Sequence, residues 1–182
     1  AKDVKIKEIE GKSHRHGLIP KGKLPEIVKA IKDAGQRHGI DEGILMGAVQ
    51  LESGFNPHAK SYTNARGLFQ FIRSTGNAYG LQTMEDFYDI EKNADAGARL
   101  FKKNIRAAEK VTGRALAPET EYLAYVAHNQ GRAGMNQIFR ASRGRGQLSK
   151  TVLRNMGLQG SRVKAAMGEA SSPSQGFLDF FK

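Results

Sequence analysis

The chain has 182 residues with 39% hydrophobic and 26% charged content, the profile of one globular domain with a buried core and not of a disordered polymer. It has no cysteine, which excludes disulfides, thiolate zinc sites, iron–sulfur clusters and a thiol nucleophile. Its net charge of +11 has two readings, attraction to an acidic partner or Lys and Arg that simply solvate helix faces. However, no zinc-finger spacing, heptad run or basic–aromatic module points to specific nucleic-acid binding, and no apolar run approaches the roughly 18 residues that span a bilayer.

Residues 1–22, with Gly11, Gly17, Pro20 and Gly22, read as a basic flexible arm in which His14 and His16 are solvated. A domain over 23–145 follows, and then a basic helical extension and tail over 146–182. The first helix begins at Leu24-Pro25, carries Ile27, Val28 and Ile31 on its apolar stripe, and stops near His38-Gly39. Asp41 is a good N-cap for a second, running through Ile44, Leu45, Ala48, Val49 and Leu51 to Ser53-Gly54.

A loop over 55–66 precedes a helix expected over 67–79. Asp89 caps a long helix over about 90–111, with Ile90, Ala94, Ala98, Phe101, Ile105 and Ala108 at helical spacing and Gly113 as its stop. Pro118 opens a further helix carrying Tyr122, Leu123 and Val126, with shorter pieces around 132–141, 149–156 and 161–168. The Ser/Pro/Gly-rich tail ends in Phe177 to Phe181. Strand alternation is nearly absent, so the expected class is all-α.

Glu52 breaks the pattern of its helix. At 100° per residue, Leu45, Ala48 and Val49 lie at about 0°, −60° and +40°, and Glu52 at about −20°, inside the apolar stripe. It also falls at the helix C-terminus, where the macrodipole disfavours a negative charge. Both features push a carboxyl group towards keeping its proton. One reading is a side chain that snorkels out of a frayed turn or pairs with Arg66 or Arg73; the other is a general acid poised for glycoside cleavage.

Glu52-Ser53-Gly54-Phe55-Asn56-Pro57 followed by Ala59-Lys60-Ser61 resembles the catalytic motif of the soluble lytic transglycosylases, relatives of goose-type lysozyme. Three further blocks follow in the family's order: Arg66 with Gly67-Leu68-Phe69-Gln70-Phe71-Ile72, Asp89 to Leu100 with Asn93 and Ala96-Gly97-Ala98, and Ala127-His128-Asn129-Gln130-Gly131. They span about 41–140 and look most like phage-encoded members, endolysins or virion-associated wall-degrading domains.

The resemblance implies a lysozyme-like helical fold. It also implies cleavage of the β-1,4 bond between N-acetylmuramic acid and N-acetylglucosamine in bacterial peptidoglycan. Glu52 would protonate the leaving oxygen and then, as carboxylate, deprotonate the muramyl C6 hydroxyl, which closes on C1 to a 1,6-anhydro product. No metal or organic cofactor is expected. By the same resemblance Ser53 supports the catalytic carboxyl or the substrate acetamido group, and Phe69 and Gln70 line the sugar groove, Phe69 having core packing as its alternative. Asn129 contacts Glu52 or substrate, and Gly131 permits a tight backbone turn.

The family's Tyr is replaced here by His128. Neutral imidazole can donate the same hydrogen bond, whereas imidazolium would weaken Glu52 as an acid, so activity should fall more steeply on acidification than with Tyr. Tyr125, one turn earlier, is the other candidate for the hydroxyl's task. A second carboxylate would make the enzyme a hydrolytic muramidase instead. Glu121, two turns before His128 on the same face, is the first candidate, with Asp86 and Asp89 behind it as capping or surface residues.

The charge is unevenly spread: +5 over residues 1–40, −3 over 41–100 and +9 over 101–182. The basic ends are expected to hold a monomeric enzyme against the anionic cell envelope, with salt-sensitive lysis. A different class of function is a virion structural module whose basic end binds DNA or envelope. The charged start, Ala1 to Lys5, has no apolar signal-peptide core. The expected location is therefore synthesis in a host cytoplasm without a signal peptide, followed by action on the wall in the periplasm.

Overall fold

The computed structural model describes residues 19–113, 118–146 and 148–152. Regular structure among them is helical with no strand, so the chain is all-α, as its periodicity implies. The chain divides into two compact units, one up to Arg99 and the other from Leu100 onward. The arm up to residue 18, the expected helix at 161–168 and the Phe-rich tail lie outside the described residues.

In the first unit, α1 (Leu24–His38) has Pro25 in its first turn, where its fixed φ suits a helix start, and Glu26 in its first turn with Arg37 and His38 in its last, which suit the helix dipole. Leu24, Ile27, Ala30, Ile31 and Ala34 form its buried stripe. Each large member contributes about 1.5–3 kcal/mol. The next helix, α2 (Glu42–Ser53), opens on Asp41, whose carboxylate accepts the Gly43 N–H at 2.7 Å, a cap contributing about 1 kcal/mol. It packs against α1 and buries Leu45, Ala48, Val49 and Ser53.

The helix expected over 67–79 is only half formed: α3 is Arg73–Ala78. The reason is backbone hand. Gly67 (φ 80°) and Gln70 (φ 52°) are both left-handed, which no right-handed helix accommodates. Isolated β-bridges pair Arg66 with Lys60 and with Phe71. The loop thus runs on to Ile72.

A short α4 (Met84–Tyr88), absent from the sequence expectation, rests on a capping box. Thr83 Oγ1 accepts the Asp86 N–H, and Asp86 Oδ2 accepts the N–H groups of Thr83 and Gln82. Asp89 then caps α5 (Ile90–Thr112) as expected, accepting the Lys92 N–H at 2.8 Å. The end of α1 is tied to α5 through Asp95, which pairs with Arg37, His38 and Arg99 at 3.0, 2.7 and 3.2 Å. Burial pushes the Asp95 carboxyl up, but hydrogen bonds from His38 and Arg37 outweigh it and hold the group below its ordinary value.

In the second unit, the rest of α5 buries Leu100, Phe101, Ile105 and Ala108. Pro118 is the first residue of α6 (Pro118–Ser142), as expected. Five consecutive buried residues, Leu123 to Ala127, mark α6 as a central helix and not a surface one. At Gly131 the backbone reaches φ 72°, ψ 173°, a region essentially reserved for glycine, and the helix breaks there. Beyond the break Met135 and Ile138 are buried again. The expected piece at 132–141 is thus the second half of α6, and that at 149–156 is described only up to Val152; it is helical from Lys150, and Ser149 Oγ accepts the Val152 N–H.

Candidate functional site

Glu52 lies half-buried in the last turn of α2, two residues before the left-handed cap Gly54. The backbone that follows is fixed from within. Phe55 is left-handed (φ 64°) and buried, and the Asn56 side chain accepts the His58 N–H at 3.0 Å. Ser61 and Ala65 close a turn, with the Ser61 N–H on the Ala65 carbonyl at 2.9 Å and the Ala65 N–H on Ser61 Oγ at 3.0 Å.

Ser53 is fully buried, and its hydroxyl donates to the Val49 carbonyl at 3.1 Å. Its proton is therefore directed into its own helix. Phe69 is also fully buried, against Gly97, where an added Cβ would come within 2.3 Å of its ring. Of the two expectations for Phe69, groove lining and core packing, this burial favours core packing. Gln70 is half-buried, and its amide nitrogen donates to the carbonyls of Ala59 (3.1 Å) and Gly67 (2.9 Å). Both amide protons are thus committed to the loop, and only Oε1 is left to face anything else.

A residue to which the sequence reading assigns no role is Asn93. It is fully buried on α5, and its side chain clamps the loop. Oδ1 accepts the Phe69 N–H at 2.9 Å, while Nδ2 donates to the Phe87 carbonyl at 2.8 Å and reaches the Arg66 carbonyl at 3.5 Å. Gly67 completes the fit: a Cβ there would lie 2.1 Å from the Phe87 oxygen and 2.3 Å from Asn93 Nδ2. The signal for Asn93 was in the sequence, since it falls among Ile90, Ala94 and Phe101 on the apolar face of its helix, as Glu52 does on its own.

In the second unit, Tyr125 is buried and His128 half-buried, its ring centroid 5.1 Å from that of Phe101. Glu121 and Asn129 belong to α6, but their side chains lie outside the described residues. The other second-carboxylate candidates are both helix caps. Asp86 also pairs with Lys92 at 2.6 Å; that bond, with the N–H groups of Thr83 and Gln82, holds its carboxyl well below the usual carboxylate range. Among the described residues no three His, Asp or Glu side chains gather in a metal-binding group, and no helix is long and apolar enough to cross a membrane.

The fold and the site define an all-α domain with a carboxylate at a helix end, followed by a loop locked by side-chain amides. The pattern of the transglycosylase SLT domain family matches residues 29–150. The chain belongs to that family. It is similar to the membrane-bound lytic murein transglycosylase C of Mannheimia succiniciproducens, 31% identical over 122 residues, covering 63% of this chain and 34% of that protein. The protein of the same name from Haemophilus influenzae (strain PittEE) is 33% identical over 119 residues, 60% of this chain and 32% of the relative. That from Edwardsiella ictaluri is 29% identical over 126 residues, 63% and 33%.

The chain spans about a third of the length of these curated relatives. They overturn the expected location: proteins named as membrane-bound enzymes of bacteria conflict with a cytoplasmically made phage protein lacking an export signal. The start at Ala1 carries no information about a leader or an anchor.

Proposed function

We propose that this chain is the catalytic part of a peptidoglycan lytic transglycosylase, with Glu52 as acid and then base. The observation that carries the reading is the position of Glu52, half-buried at the end of α2 and followed by a clamped loop, inside the stretch that matches the family. The Glu52 carboxyl gives its proton to the oxygen of the β-1,4 bond between N-acetylmuramic acid and N-acetylglucosamine, and the C1–O bond breaks. The muramyl C6 hydroxyl then bonds to C1, and its proton passes to the Glu52 carboxylate, which restores the acid. No water is consumed, so one carboxylate serves both steps.

Hydrolysis as in a muramidase needs a second carboxylate to act as nucleophile or to activate water. The cap duties of Asp86 and Asp89 favour the one-carboxylate route, since either residue would have to abandon its backbone partners to serve as base. A bacterial enzyme and a phage endolysin or virion enzyme would perform this same step on the same polymer. The test is digestion of purified sacculi by wild type and Glu52→Gln, with mass spectrometry of the released muropeptides. Expected are products lighter by one water than hydrolytic ones, absent with the variant. Hydrated products would overturn the transglycosylase reading, and full activity of Glu52→Gln would overturn the residue assignment.

A further inference from the structure

Around and beyond the block Ala127 to Gly131, a long stretch of the second unit's sequence carries positive charge with no acidic residue. From Tyr122 to Gly168 the sequence holds eight Lys and Arg and not one Asp or Glu. Over the last part of α6 and the residue just past its end, Arg132, Asn136, Arg140 and Arg143 fall inside an arc of about 80° at 100° per residue. Arg132, Asn136, Arg140 and Arg143 are exposed, while Gly134, Met135 and Ile138, on the opposite side, are buried. Among the described residues no salt bridge engages Arg132, Arg140, Arg145 or Lys150. The guanidinium of Arg143 lies over the Phe139 ring, 4.9 Å from its centroid.

We infer that this arginine face docks the free carboxylates of the peptide stems carried by the glycan strand. The inference rests on the proposed function and deepens it, because it makes peptide-bearing peptidoglycan, and not bare glycan, the preferred substrate. Three observations select this occupant. Arg outnumbers Lys by six to two over that stretch, and the planar guanidinium fork matches a carboxylate bidentately where Lys offers only a point charge. Arg132 directly follows Gly131, so the stripe begins where the Ala127–Gly131 block, which the family resemblance places at the sugar, ends. Finally, the large hydrophobic side chains exposed among the described residues, Tyr62, Ile72 and Met84, all belong to the first unit, so this face offers no apolar anchor for a lipid bilayer. At 1.5 Å per residue the stripe from Arg132 to Arg143 is about 16 Å long, enough to meet more than one carboxylate.

The test uses the full chain and the triple variant Arg132→Gln, Arg140→Gln, Arg143→Gln, with unchanged helical circular dichroism as the check on folding. Substrates are intact sacculi and the same glycan freed of its stems by an amidase. On intact sacculi the half-saturating concentration should rise about tenfold at low salt with kcat retained, from three charge pairs of ordinary surface strength. On stem-free glycan, whose only carboxylates are the lactyl groups that the amidase leaves on the sugars, the two proteins should agree within about twofold, and the salt dependence of wild type should be weaker than on sacculi. Equal loss on both substrates, or loss on neither, overturns the inference. So does a variant that keeps wild-type kinetics on sacculi but no longer binds phosphatidylglycerol vesicles that wild type binds, which would make the face a lipid dock. Sedimentation with sacculi reads docking without cleavage. A wild type that co-sediments through these arginines yet releases no anhydro product would sink the proposed function and leave the docking intact.

Discussion

Replacing Asn93 by Ala tests whether the loop after Glu52 is held by one buried amide. The substitution strands the Phe69 N–H and the Phe87 carbonyl, bonded at 2.9 and 2.8 Å in a fully buried setting. The 3.5 Å approach to the Arg66 carbonyl is too long to count for much. Each stranded group costs about 1–3 kcal/mol, so the expected loss is about 2–6 kcal/mol. That is a large share of the roughly 5–15 kcal/mol of a typical domain. Equilibrium urea unfolding should show a lower midpoint with an unchanged slope. Asn93→Asp separates the two bonds: it keeps an acceptor for the Phe69 N–H but buries a charge against the Phe87 carbonyl. Its deficit should be larger than that of Asn93→Ala at neutral pH and should shrink on acidification, when a protonated carboxyl can again donate. A loss below about 1 kcal/mol for Asn93→Ala would refute the clamp.

Gly131→Ala isolates backbone strain, because an added Cβ meets nothing within 4 Å while φ 72°, ψ 173° remains forbidden to it. Thermal unfolding should register a loss of about 1–3 kcal/mol, and an unchanged midpoint would mean that the helix break can relax. Asp86 supplies a pH signature. Its folded pKa is lowered, chiefly by Lys92, so its stabilisation is fully present above the unfolded carboxyl value and is lost as pH falls towards the folded one. The gap in urea midpoint between wild type and Asp86→Asn should therefore be present near pH 7 and contract below about pH 4. A gap that stayed constant down to about pH 2 would show that the cap acts without its charge.

Much of the fold was legible because its elements obey strong local rules. Asp41, Asp89 and Pro118 start helices where capping chemistry places them, and the apolar stripes of α1, α2 and α5 recur at helical spacing over many residues. What stayed hidden lies below the reach of periodicity. Five residues of α4 are too few to display a period, and the helix rests on Thr83 and Asp86 exchanging backbone bonds. The expected helix over 67–79 failed at Gln70, a residue with good helix propensity held at φ 52° by tertiary contacts. No local rule anticipates a left-handed glutamine. The two carbonyls that fix it belong to Ala59 and Gly67, and one of them is eleven positions away.

Apart from the motif resemblance, the candidate site was legible by one device, a polar residue on an apolar stripe, and that device does not distinguish chemistry from architecture. Applied to α2 it selects Glu52; applied to α5 it selects Asn93, whose three partners are all backbone groups. The distinction is one of valence. A carboxamide carries donors and an acceptor at once and can satisfy a loop's N–H and C=O groups together, which a carboxylate, an acceptor only, cannot do. The same accounting narrows Gln70. With its nitrogen already donating to two carbonyls, it can meet a sugar only as an acceptor, through Oε1, and only from a hydroxyl or an acetamido N–H. The amides of Asn93 and Gln70 therefore hold the backbone in place, whereas the carboxyl of Glu52 can exchange a proton.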